Sequence, residues 1–127
     1  MSKQVKWRSA PKGRDYDGAK NYLTLLGSES EADRLVRHLK QAAPIERAPK
    51  DLLRAAALPL LPVDDPRVRQ DLKHVDAGKA LAPILLVRGD LKNSRHLVVA
   101  DGYHRICASY HIDEDRPVPC RIVDLES

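Results

Sequence analysis

Five consecutive residues, Asp101-Gly-Tyr-His-Arg105, are the part of the chain best suited to chemistry. Leu97 to Ala100 reads as a strand and Tyr103 to Tyr110 as a short helix, so the glycine turn between them leaves backbone N–H groups pointing outward at a helix start. Such an end attracts anions through its free amides and the helix dipole. Gly102 permits a positive φ and close approach of a ligand to the amides of Tyr103, His104 and Arg105. Arg105 adds a forked cation suited to phosphate, and His104 adds a donor or proton shuttle. Asp101 is of the type that holds a magnesium ion or takes a proton from a hydroxyl. The plainer reading of the same residues is an Asp-Gly turn in which Asp101 caps the helix while Arg105 and His104 are solvated, and so short a motif does not decide between the two.

The elements that must position this turn are legible from periodicity. Ala32, Leu35, Val36 and Leu39 recur at helical spacing, with Ser28 and Glu31 at capping-box distance ahead of them and Pro44 beyond. A second helix is predicted over about Lys50–Ala57, between Pro49 and Pro59, with Leu52, Leu53 and Ala56 inward. Leu58 to Arg67 is an extended, proline-rich connector. Asp65 is a candidate N-cap and Pro66 a first residue for a third helix, with Val68, Leu72 and Val75 on one face and Gly78 closing it. Ile84–Val87 and Leu97–Ala100 read as a β-hairpin, and Val118–Val123 as a closing strand. The hairpin runs are apolar at every position, which predicts a sheet covered by helices on both faces. Tyr22 to Leu26 fits a short strand or a helical turn.

The chain has 127 residues, 43% of them hydrophobic and 31% charged, which suits one globular domain. Its net charge of +4 resides entirely in residues 1–20, where Lys3, Lys6, Arg8, Lys12, Arg14 and Lys20 face only Asp15 and Asp17. These residues are expected to form a flexible basic arm able to lie on the phosphate backbone of DNA. Residues 21–127 are expected to form the domain, with a helical part over 21–58 and the motif-bearing core over 59–127. The first residues lack the apolar core of a signal peptide, and the apolar run Ala55–Val63 is broken by Pro59 and Pro62, so a cytoplasmic location without membrane contact is expected. Cys107 and Cys120, with His96, His104 and His111, do not have zinc-site spacing, and both cysteines read as small core residues. With aromatics at 4%, stacking platforms for single-stranded nucleic acid are sparse.

From about Leu60 to Val123 the sequence resembles the ParB/sulfiredoxin-like superfamily. Asp65-Pro-Arg-Val68, Gly78 through Pro83-Ile-Leu-Leu-Val87, Ala100-Asp-Gly-Tyr-His-Arg105 and Val118-Pro-Cys-Arg-Ile-Val123 carry the resemblance, in the family's order. It implies an α+β fold with a small mixed sheet, a β-hairpin and a strand-turn-helix-strand unit, here preceded by N-terminal helices. Sulfiredoxins bind ATP with a Gly-Cys-His-Arg turn. Tyr103 replaces that cysteine here, which removes sulfinic-acid reduction and leaves His104 and Arg105 as phosphate ligands, with Arg67 matching a further basic residue. Gln70 and His74 stand near the spacing of that family's accompanying hydroxyl residues. Free-serine kinases have an Asp-Gly-His-His-Arg turn and an upstream acidic base, whose place falls to Asp64 or Asp65. ParB proteins bind CTP and read DNA through a further helix-turn-helix domain, and other relatives are described as nucleases. After the closing strand this chain has only four residues to Ser127, so centromere binding by this chain alone is not expected.

The resulting expectation is a nucleotide-binding domain that takes ATP or CTP with Mg2+ and hydrolyses or transfers the terminal phosphate. Arg67, Gly102, Tyr103, His104 and Arg105 would bind nucleotide, and Asp64, Asp65, Asp101 and His104 are the candidates for catalysis, with Asp101 for metal. The alternative is a DNA-associated protein, nuclease or binder, using residues 1–20. A homodimer is compatible with either.

Overall fold

Ser28 Oγ accepts from the Glu31 amide at 3.1 Å while Glu31 Oε1 accepts from the Ser28 amide at 3.0 Å, so the predicted capping box is made. A computed structural model describes residues 4–126 of the chain. Among them, α1 (Gly13–Leu23), α2 (Glu29–Gln41), β1 (Ile45–Arg47), α3 (Pro49–Ala56), α4 (Pro66–Asp76), β2 (Ile84–Val87), β3 (Val98–Asp101), α5 (Tyr103–Ile112) and β4 (Val118–Val123) follow in order. The sheet order is β1-β4-β2-β3. β2 runs antiparallel to β3 and parallel to β4, and β1 runs antiparallel to β4. The fold is therefore mixed α+β, with the expected hairpin and closing strand in place.

β2 is a central strand, and its period of two divides the core. Leu85 and Val87 pack with Ala19 and Leu23 of α1 and with Ala32, Leu35, Val36 and Leu39 of α2. Ile84 and Leu86 point the other way, into Leu52 and Leu53 of α3, Val68 of α4 and Ile106 and Cys107 of α5. Every β2 side chain is buried because each face of the sheet carries a helical layer, and this is why the strand reads as a continuous apolar run. No helix among the described residues is long and apolar enough to cross a membrane.

Two features differ from the sequence expectation. β1, only three residues long, lies inside the stretch expected to be helical, and one pairing with β4 is enough to form it. The basic arm is in large part folded. Arg8 N donates to Leu81 O at 2.8 Å, Leu81 N donates to Lys6 O at 2.9 Å, and Arg121 Nη2 donates to Ser9 O at 3.3 Å. From Gly13 onward the arm is α1, because Asp15, Ala19 and Leu23 recur every four residues and form a buried stripe. Lys20 is spent on a surface pair with Asp33 at 3.0 Å. Tyr22 falls in the last turn of α1, leaving Leu25 and Leu26 in the exposed loop to α2. Lys3 lies outside the described residues.

Candidate functional site

The Asp101–Arg105 turn lies where β3 ends and α5 begins, with α1 on one side and α4 on the other. Leu86 faces Val99 and Leu85 faces Asp101, so Ala100 is an extra residue in β3. This bulge lets Asp101 reach toward α1 although Ala100 already packs on that side. α1 comes close because residue 18 is glycine: a Cβ there would stand 2.9 Å from Asp101 Oδ1. Gly102 has φ +112°, in the left-handed region, and makes room for the Arg105 side chain folded back over it.

Arg105 is the centre of the site. Its Nη1 donates to Asp15 Oδ1 at 3.1 Å, and its Nη2 donates to Asp101 Oδ2 at 2.8 Å and to the Pro83 carbonyl at 3.4 Å. The side chains of Arg105, Asp15 and Asp101 are 16%, 6% and 23% exposed, so these ion pairs are largely out of water. Asp15 also caps α1, where its Oδ2 accepts from the Lys12 amide at 2.7 Å. Burial raises the Asp101 carboxyl above the ordinary carboxylate value, Arg105 pulls it down, and the neighbouring Asp15 pushes it up again. The expected solvated or phosphate-ready arginine is thus a fork already held by two carboxylates.

The other candidates are placed as follows. His104 is half-buried and next to the Tyr103 ring, with ring centroids 5.6 Å apart. Tyr103 donates its hydroxyl to the Pro59 carbonyl at 2.5 Å, which fastens the proline-rich connector to α5. His111 Nε2 lies 2.7 Å from the Leu61 carbonyl and fastens the same connector two turns on. Arg67 is exposed at the start of α4. Asp65 is the N-cap of α4: its Oδ2 accepts from the amides of Arg67 and Val68, each at 3.1 Å. Asp64 is exposed, and its carbonyl accepts from Arg69 Nη2 at 3.4 Å. Replacing Asp65 with alanine is expected to cost about 1 kcal/mol in urea unfolding, and serine to restore most of it, as a capping role requires.

Asp71 was missed by motif reasoning, although its place three residues after Val68 and four before Val75 puts it on the apolar face of α4. It is half-buried without a hydrogen bond or ion pair among the described residues, in the field of Arg105, His74 and His104. Burial raises its carboxyl, and those three groups pull it back only in part. Asp71 therefore binds its proton more readily folded than unfolded. Its contribution favours folding below the ordinary carboxyl range and is lost as the pH rises above it. Asp71→Asn is expected to raise the melting temperature at pH 7 and leave it unchanged near pH 3.

Asp101 Oδ2 is on Arg105, a partner that the expected metal role would have to share. Among the described residues no group of three His, Cys, Asp or Glu side chains is arranged to hold a metal ion. Cys107 and Cys120 are fully buried core residues. Burial raises both thiols, that of Cys120 to about 12, which keeps them as unreactive thiols. Comparison with family models, curated proteins and solved structures finds no match to this chain.

Proposed function

We propose that the β3–α5 turn binds the phosphates of a nucleoside triphosphate, ATP or CTP, in a domain of ParB/sulfiredoxin-like type, and that hydrolysis or transfer of the terminal phosphate follows. One observation carries the reading. α5 begins at a left-handed glycine with no side-chain cap, and its first backbone bond is from Ile106 N to Gly102 O at 3.0 Å, so the amides of Tyr103, His104 and Arg105 are free of helical partners. His104 stands half-buried beside them, and no hydrogen bond or ion pair among the described residues engages its ring. The order α4, β2, β3, α5, β4 agrees with the resemblance read from the sequence.

A thermal-shift series with ATP, CTP, GTP and ADP, each with and without Mg2+, tests the proposal, followed by product analysis of any ligand that stabilises. ATP or CTP is expected to raise the melting temperature, and His104→Ala to weaken that ligand about tenfold while leaving the free protein's stability nearly unchanged. Absence of any nucleotide-dependent shift would sink the proposal.

A second reading, DNA binding by the basic arm, is favoured by the exposure of Lys6, Arg8 and Arg14 on a segment fixed to Leu81 and continuing into α1. Removing residues 1–20 cannot test it cleanly, since that deletion takes away Asp15 and most of α1. Arg8→Glu with Arg14→Glu keeps the fold and should abolish salt-dependent binding of duplex DNA if this reading holds.

A further inference from the structure

The guanidinium that a phosphate would use is already engaged. Asp101 belongs to the same turn, and its bond to Arg105 is a local contact four residues apart. Asp15 comes from α1, 90 residues away in the chain. Asp71 of α4 adds a third carboxylate to the field around the one guanidinium. A phosphate arriving at the turn therefore meets three carboxylates near the one guanidinium, whose Nη1 is already donating to Asp15.

We infer that α1 is a built-in competitor for this site: the Asp15 carboxylate takes the Arg105 donor that a phosphate oxygen would use, so full-strength phosphate binding requires α1 to withdraw it. The inference rests on the phosphate-binding reading and adds its regulation. Three features suit the exchange. Asp15 keeps its second partner, the Lys12 amide, when it leaves Arg105. The seat of α1 against β3 depends on the missing side chain of Gly18, so a small rotation of the helix separates Asp15 from Arg105 without carrying a bulky group past Asp101. Leu23, at the far end of the helix, is buried in the core, and the segment ahead of the helix is held through Lys6, Arg8 and Ser9, so the helix keeps its place while it turns. Arg105, freed on one side, remains aimed at the turn by Asp101.

Calorimetric titration with inorganic tripolyphosphate tests this without assuming a base. Asp15→Asn is expected to bind about tenfold tighter than the unaltered protein, the effect of removing one charge-assisted competitor. Asp17→Asn, an equal charge change at an exposed position of the same helix, is expected to bind as the unaltered protein does. The inference fails if Asp15→Asn gains nothing, or if Asp17→Asn gains as much. Should the unaltered protein and both variants all fail to bind tripolyphosphate, the phosphate reading itself falls and the competitor role with it. Hydrogen exchange on the unaltered protein gives a readout independent of any substitution: the amides of α1 should lose protection at saturating tripolyphosphate, and unchanged protection overturns the inference.

Discussion

Arg105→Met is expected to lower the free energy of unfolding at pH 7 by about 3–5 kcal/mol, the range for removing one partner of a buried ion pair. The loss would come mainly from what remains behind. Asp15 is nearly inaccessible and Asp101 is mostly so, and without the guanidinium the two carboxylates face each other with no cation between them. Two consequences separate this account from a generic packing defect. The penalty should shrink as the pH falls, because protonation removes the unpaired charges. It should also shrink in the triple variant Asp15→Asn, Asp101→Asn, Arg105→Met, since replacing a whole buried ion cluster is often nearly neutral while breaking it is not. Urea unfolding of the single and triple variants at two pH values is sufficient. A penalty below about 1 kcal/mol for the single variant would mean that the cluster behaves as a surface pair. Loss of nucleotide binding in Arg105→Met would be ambiguous between site and fold, which is why His104 is the better probe of binding.

The second large effect is expected at Gly102. A Cβ there would lie 2.7 Å from Ile84 Cδ1 and 2.9 Å from Arg105 Nη2, and a φ of +112° is costly for any residue with a side chain. Left-handed strain of about 1–2 kcal/mol and overpacking of about 1–3 kcal/mol together put Gly102→Ala at about 2–5 kcal/mol. Part of that cost acts through Arg105, whose fork is pushed off Asp101. Gly102→Ala should therefore cost less in the Arg105→Met background than alone, a coupling that double-mutant unfolding measures. Strict additivity would show that the methyl group is accommodated against Ile84 alone.

Much of the fold was legible because several signals agreed at each element. Ser28 and Glu31 made the cap their spacing predicts, Asp65 and Pro66 started α4, and the uninterrupted Ile84–Val87 run marked a strand covered on both faces. α1 was hidden by composition: its basic residues suggested a solvated arm, while the buried stripe was short and began with an aspartate. β1 was illegible for a different reason, since a three-residue strand is decided by its partner and not by its own sequence. At the site, the turn itself was readable as a contiguous motif. The partners that determine its electrostatics, Asp15 and Asp71, come from other helices, and single carboxylates at helical spacing carry no local mark of what they will meet across the fold.

The pairing of Asp15 with Arg105 also bears on how the chain folds as it is made. The helix that covers the turn leaves the ribosome well before β2, β3 and Arg105, which emerge some 70 to 90 residues later, as the 90-residue span of that bond implies. Until then Ala19 and Leu23 have α2 for company but no sheet to close on, so the N-terminal helical pair must wait, with its apolar stripe incompletely covered. Docking of α1 is thus a late, non-local step, and it slows folding by the cost of closing a long loop. During synthesis this stripe is open to wrong partners, and the arrival of the Asp101–Arg105 turn gives α1 its charged anchor.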